Sequence, residues 1–314
     1  MKNAYRQSPH WAVILAGGNG VRMQPMIQQW LGKPKPKQYC TFFGNKSMFQ
    51  YTVDRAILLT KPERTVTVIA RNHEPEAWAQ LDGRACGKVL VQPKNCDTGP
   101  GIFLPLTYIR EKDPIGTVVI YPSDHFVYPE HRFLELIERA AWMAEWVTNC
   151  PILLAAPPDR LELEYGWIIP DQVHSIVDGY PLLTVERFLE KPNVMQAREA
   201  MAANGKWNTM VLVSKIEAIW SLGWKLAPDM MVLFEQLGKA IGTSEESKVL
   251  KAIYAAMPNK NISFDVLQHV PQEIMTMELQ GVLWSDWGHP KRIEETLQRV
   301  KTEPSFAGGY LAAV

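Results

Sequence analysis

Residues 15–25 read LAGGNGVRMQP and follow an apolar run, WAVIL, with the composition of a buried strand. A strand that feeds a glycine-rich loop carrying one arginine suits phosphate chemistry. Gly17, Gly18 and Gly20 lack a Cβ and let backbone N–H groups close on an anion. Arg22 adds a planar guanidinium fork that matches phosphate oxygens. Two better-known glycine loops are excluded. A dinucleotide fingerprint begun at Gly18 needs glycine where Met23 stands, and an acid roughly 20 residues on. Residues 36–44, PKQYCTFFG, hold no acid. A P-loop needs Gly-Lys-Ser/Thr at its close, which is also absent. A tight strand–helix turn with a solvated arginine is the competing reading of the same residues.

Positioning such a loop takes a sheet. WAVILA (11–16), TVTVIA (65–70), KVLV (88–91), TVVIY (117–121) and PILLAA (151–156) read as buried strands. Residues 47–59 repeat apolar side chains at helical spacing through Met48, Tyr51, Ala56 and Leu59. Residues 130–147 do so through Phe133, Leu134, Ile137 and Ala141. Continuously apolar strands alternating with helices predict an α/β fold, a mostly parallel Rossmann-like sheet flanked by helices. Ligands on such sheets sit beyond the carboxyl ends of the strands. Gly17–Arg22 and Ser123-Asp124 both fall there. After about residue 225 the pattern turns helical. Residues 228–257 read as helix up to a break at Pro258-Asn259, 282–286 as a last short strand, and 290–301 as a closing helix with Pro290 in its first turn. Trp142, Trp146, Trp220 and Trp224 recur at helical spacing and are assigned to core. The expected division is an N-terminal extension over 1–10, a core over 11–227, and a helical C-terminal part over 228–314 that returns to the core at 282–301.

The 314 residues are enough for one large α/β domain or a domain with an appendage. Lys and Arg (33) balance Asp and Glu (33), so the formal net charge is zero. That argues against bulk binding to nucleic acid or a membrane surface. Cys40, Cys86, Cys96 and Cys150 are scattered without CxxC spacing, which points to reduced thiols in a cytoplasmic protein. No apolar run nears the roughly 20 residues that span a bilayer. The N-terminus, MKNAYRQSPH, has no apolar signal core.

The loop LAGGNGVRMQP and the following Pro36-Lys37-Gln38 resemble the opening of the sugar-1-phosphate nucleotidyltransferases, and most closely the mannose-1-phosphate guanylyltransferases. YPSDHFV (121–127), EYGWI (164–168), FLEKP (188–192), WN (207–208) and WSDWG (284–288) follow in the same order. The resemblance covers roughly residues 11–300. It implies a nucleotidyltransferase that joins a nucleoside triphosphate, GTP first, to a hexose 1-phosphate, mannose 1-phosphate first, with release of pyrophosphate. It implies that Asp124 and Asp286 hold Mg²⁺ or Mn²⁺, and that Lys37 contacts the phosphates. It implies that Lys191 binds the sugar 1-phosphate, that Glu190, Asn208 and Gly166 meet the sugar, and that Thr98 lies on the base side. In the family the C-terminal part often packs on a second subunit, so the tail FAGGYLAAV (306–314) reads either as part of a homodimer contact or as a frayed terminus. The isomerase domain fused to some members has no room here, so no isomerase activity is expected.

Each residue also has an ordinary reading. Asp124 after Ser123 suits a helix N-cap, and Asp286 before Gly288 suits a turn. Lys37 lies in GKPKPKQ, which reads equally as a solvated basic turn. Lys191 before Pro192 suits a salt-bridged strand end. His125 is assigned to packing or orientation, because this chemistry needs no general base; His289 is given no role. Several positions depart from the family pattern: Val21 for threonine in the loop, Cys96 and Asp97 in NCDTGP, Glu164 for a glycine in ELEYG, and Met210 for a glycine in WNTM. They leave the phosphate parts intact and alter both pockets. A non-catalytic homologue that binds a nucleotide sugar is therefore the second reading.

Overall fold

The computed structural model describes residues 10–306. The expected N-terminal extension, except His10, and the apolar tail after Phe306 lie outside the described residues. In chain order the elements are β1 (Trp11–Ala16), α1 (Gln24–Leu31), α2 (Met48–Leu59), β2 (Thr65–Ala70), α3 (Glu74–Leu81), β3 (Lys88–Gln92) and α4 (Thr98–Arg110). Then come β4 (Thr117–Pro122), β5 (Phe126–Tyr128), α5 (Glu130–Ala144), β6 (Ile152–Ala156), β7 (Trp167–Val177), β8 (Tyr180–Leu189) and α6 (Val194–Ala202). The chain closes with β9 (Lys206–Lys215), α7 (Ile216–Leu226), α8 (Pro228–Ala240), α9 (Glu246–Ala256), β10 (Met275–Glu278), β11 (Leu283–Ser285) and α10 (Pro290–Arg299).

One sheet of nine strands, in the order β3-β2-β1-β4-β9-β6-β10-β8-β7, carries the molecule. Four of the five expected apolar runs form its parallel core, β3-β2-β1-β4; the fifth, 151–156, becomes β6, which pairs antiparallel with β9 and parallel with β10. Alternate residues of β1 feed opposite faces, as strand geometry requires. Trp11 and Val13 pack with α4, α7 and α8, whereas Ala12 and Ile14 pack with α2, α3 and α5. Helix α2 starts where Ser47 and Gln50 cap each other reciprocally.

The other half of the sheet is mixed, and of its strands β6 is the one expected from a continuous apolar run. β9 pairs antiparallel with β4 and β6, and β7 pairs antiparallel with β8. The β7–β8 turn is Asp178-Gly179, both at positive φ, the two-residue hairpin that an Asp-Gly pair favours. In β7, β8 and β9 polar residues interrupt the apolar ones, as in WIIPDQVHSIV and KWNTMVLVSK.

The expected boundary at 227/228 is crossed by the sheet. α8 and α9 cover the same face as α4, and β10 inserts between β6 and β8. The helical stretch expected over 228–257 is broken at 241–245, where Gly242 adopts φ 78°. Among the tryptophans assigned to core, Trp220 is buried, but Trp146 is 73% exposed and Trp224 38% exposed. Helix α5 ends at Ala144, so Trp146 leaves its apolar stripe. No helix among the described residues is long and apolar enough to cross a membrane.

Candidate active site

Strand order reverses beside β1, with β2 on one side and β4 on the other. In an open α/β sheet that crevice takes ligands. The glycine loop leaves β1 there, and Asp124 follows β4. Ser123 ties the two strand ends, donating from its N–H and its hydroxyl to the Leu15 carbonyl at 3.1 and 2.7 Å.

The loop is held by its carbonyls. Gln38 donates to the carbonyls of Ala16 and Gly18 at 2.9 and 2.8 Å, and Tyr39 donates to Ala16 at 3.1 Å. Gly20 adopts φ 58°, and a Cβ there would meet the Lys37 Cβ at 2.8 Å, so glycine is required. A Cβ on Gly17 would meet Gln92 Oε1 at 2.7 Å, whereas Gly18 faces open space. Beside the loop lies a cavity of about 440 Å³ lined by Gly17, Gly18, Gln92, Asn95 and Thr98 among others. Thr98 starts α4, and its Oγ1 accepts from the Ile262 N–H at 2.9 Å.

Charge gathers at the loop's far end. Lys37 is buried, its Nζ 2.8 Å from Asp124 Oδ2, and it also donates to the Asp286 carbonyl. The solvated-turn reading of Lys37 is thereby excluded. Burial alone would raise the Asp124 carboxyl, but Lys37 and His125 hold it below the usual carboxylate range. Asp286 directly follows β11, which pairs with β5 so that Ser285 faces Phe126. It is nearly buried. Its Oδ1 accepts from Tyr165 Oη (2.6 Å), the Gly288 N–H (2.9 Å) and Arg292 Nη1 (2.9 Å), and its Oδ2 from Arg22 Nη2 (2.9 Å). Burial would raise this carboxyl too; Lys37, Arg292 and these donors hold it far below its ordinary value. Arg22 also pairs with Glu164 at 2.6 Å, both half-exposed.

A third group forms the second cavity, of about 150 Å³. Gly166, Glu190, Asn208, Met210, Ser263 and Asp286 are among its walls, and Thr98 belongs to both cavities. A Cβ on Gly166 would meet Glu190 Oε2 at 2.8 Å and Asn208 Cβ at 3.2 Å. Burial pushes the Glu190 carboxyl up, against Lys191, which lowers it. Lys191 itself is exposed, at φ 47°, and is not a wall of this cavity. His125 lies 3.6 Å from Asp124 and stands edge-on to Trp284 at 5.2 Å, which fits its packing role.

Sequence reasoning passed over Arg292, Glu162 and Tyr165. Arg292 pairs with Asp286, with Glu162 at 2.5 Å and with Glu164 at 3.0 Å, and lies over the Tyr165 ring at 4.6 Å. A signal was present: Lys291 and Arg292 put two cations in the first turn of a helix, where the dipole disfavours them. Glu162 and Tyr165 carry no such signal.

Among the described residues no group of three or more His, Cys, Asp or Glu side chains gathers to hold a metal. Asp124 could offer Oδ1 to a divalent cation: its side chain is 36% exposed, and Oδ1 lies 3.6 Å from His125 Nε2, beyond hydrogen-bond reach. Asp286 does not fit while both its oxygens serve Arg22, Arg292, Tyr165 and Gly288.

A glycine loop at a strand-order reversal, a buried lysine with two carboxylates beside it, and a second polar cavity adjoining the first make up the candidate site of this α/β protein. Residues 11–303 match the family model described as Nucleotidyl transferase, and the chain belongs to that family. It is 25% identical over 283 residues to the alginate biosynthesis protein AlgA of Pseudomonas fluorescens, covering 88% of this chain and 56% of that protein. It is 24% identical over 288 residues to a mannose-1-phosphate guanylyltransferase of Escherichia coli, covering 90% and 60%. The chain thus spans little more than half the length of these relatives. A crystal structure of mannose-1-phosphate geranyltransferase from Thermus thermophilus matches with TM-score 0.77 at 24% identity, covering 92% of this chain and 79% of that one. UDP-glucose pyrophosphorylase complexed with UDP-glucose matches with TM-score 0.57 at 15% identity, covering 93% and 98%. Both share the fold.

Proposed function

We propose that the protein joins a nucleoside triphosphate to a sugar 1-phosphate, giving a nucleotide sugar and pyrophosphate. GTP is the first choice of nucleotide and mannose 1-phosphate the first choice of acceptor. The observation that carries this is the pair of cavities sharing Thr98, one beside the glycine loop and the other walled by Gly166, Glu190 and Asn208. That arrangement suits in-line attack by a sugar-phosphate oxygen on the α-phosphorus. No protein nucleophile is needed; the work is positioning and charge neutralisation. The loop N–H groups and Arg22 would hold the triphosphate. Lys37, fixed against Asp124, would face the developing charge. Asp124 would hold a divalent cation together with phosphate oxygens and water. When bound, that ion neutralises charge on the phosphates. Arg22 has to leave Glu164, and in part Asp286, to serve a phosphate.

The test is pyrophosphate release from a matrix of triphosphates and sugar 1-phosphates, with Mg²⁺ and with excess chelator. Turnover that needs Mg²⁺ supports the proposal, and the preferred pair names the substrates. An optimum at a pyrimidine triphosphate would overturn the GTP assignment and keep the reaction. The second reading, a binding homologue without turnover, rests on Arg22 being tied to Glu164 and Asp286. Ligand-induced thermal stabilisation with no pyrophosphate from any pair would establish it.

A further inference from the structure

Met210 shapes the sugar cavity in a way its residue type alone does not announce. It sits in β9 at φ 58°, the left-handed region that favours glycine and that an unbranched side chain adopts only under constraint. The pairing of β9 with β6 shifts register there, between Leu154 and Ala155. The constraint is local and polar. The Met210 N–H donates to Asn208 Oδ1 at 3.1 Å. The thioether accepts from Asn208 Nδ2 at 3.3 Å and from the Ser263 hydroxyl at 3.1 Å. Met210 thus engages both ends of the Asn208 amide and puts an apolar surface over them, inside a cavity of only about 150 Å³. A sugar hydroxyl brought to that wall would lose water and find the Asn208 amide and the Ser263 hydroxyl already engaged with the sulfur and, at 3.5 Å, with each other. An unpaired buried hydroxyl is costly. A C–H or methyl group in the same place would pack against the thioether instead. The cavity keeps polar capacity elsewhere, in the Glu190 carboxyl.

We propose that Met210 is a specificity-determining residue, and that the acceptor is a deoxysugar 1-phosphate whose missing hydroxyl faces the Met210 thioether. This rests on the sugar 1-phosphate reading above, keeps its reaction, and replaces its first-choice acceptor, mannose 1-phosphate, by a hexose 1-phosphate lacking one hydroxyl. It also assigns Met210 a role distinct from catalysis, since its partners are Asn208 and Ser263 and not the groups proposed to face the phosphates.

The test is calorimetric titration of mannose 1-phosphate, glucose 1-phosphate and their singly deoxygenated analogues into the full chain, with a non-cleavable GTP analogue present and absent. Pyrophosphate release is measured in parallel. One deoxy analogue is expected to bind at least about 10-fold tighter than its parent hexose, within the roughly 10- to 200-fold that one pocket group supplies. Met210→Gly, which suits the left-handed backbone, should remove or reverse that preference, and Met210→Ala should weaken it. Wild-type protein that favours the parent hexoses, or an unchanged ranking in both variants, overturns the inference. Binding selectivity for a deoxysugar without any pyrophosphate release would sink the catalytic reading and leave Met210's role standing. Turnover with hexose 1-phosphates that Met210→Gly leaves unaltered would do the reverse. No binding of any sugar 1-phosphate overturns both.

Discussion

Asp286→Asn tests the network that fixes the site. The side chain is 9% exposed and receives four donors. An asparagine that keeps its oxygen at the Oδ1 position retains Tyr165, Gly288 and Arg292 as donors. Its amide then points at Arg22 Nη2, donor against donor. The bond to Arg292 changes from charged to neutral, a loss of about 1–1.5 kcal/mol. Arg22 is half-exposed, so its lost ion pair is discounted to about 0.5–1 kcal/mol. The expected destabilisation is about 1.5–2.5 kcal/mol, below the ~3–5 kcal/mol for leaving a buried charge with no partner. Urea unfolding at pH 7 measures it. A pH series supplies the sign. The Asp286 carboxyl is depressed on folding, so its contribution is fully present above the unfolded value of about 4. It is lost as pH falls from there through the folded value. The gap between wild type and variant should therefore narrow below about pH 4. A double-mutant cycle with Arg292→Met should give a coupling of at least about 1 kcal/mol. A destabilisation under about 0.5 kcal/mol, or a gap that is constant from pH 7 to 3, would refute the charged-network account.

Arg22→Ala and Lys37→Ala should each slow pyrophosphate release by about 2–4 kcal/mol in ΔΔG‡. Lys37→Ala should also lower the melting temperature, because it strands Asp124 beside a buried gap, whereas half-exposed Arg22 should not; equal kcat/KM in wild type and both variants would show that neither cation meets the transferring phosphate. Glu164→Gln frees Arg22 from one of its two carboxylates, and the KM for the triphosphate should fall about 2- to 5-fold, as expected for an exposed ion pair worth ~0.5–1 kcal/mol. A raised KM in steady-state kinetics would mean that Glu164 supports the loop instead of competing for it.

The sequence by itself determined what depends on neighbouring residues. Glycine spacing at 17–20 needs only local sterics, and continuous apolar runs declare strands buried on both faces. Hence the loop, Arg22 and the parallel strands β1–β4 were legible, as was the placing of Asp124 at a strand end. The antiparallel half was harder to read because β7, β8 and β9 mix polar and apolar positions, although Asp178-Gly179 marks one turn. Tertiary structure alone decided the electrostatics. Arg22 and Asp286 stand 264 positions apart, and Arg22 and Glu164 stand 142 apart. Nothing local distinguishes those acids from ordinary turn residues. Whether Lys37 is a solvated turn or a buried cation depends on β11 folding back onto β5 to bring the Asp286 carbonyl over it. Lys191 shows the converse: its neighbour Glu190 lines the sugar cavity, but a left-handed backbone at Lys191 leaves its side chain exposed. Periodicity and spacing are short-range properties. Burial and charge pairing are set by where distant segments meet, and in this protein that meeting fixes the partners of Arg22, Lys37 and Asp286.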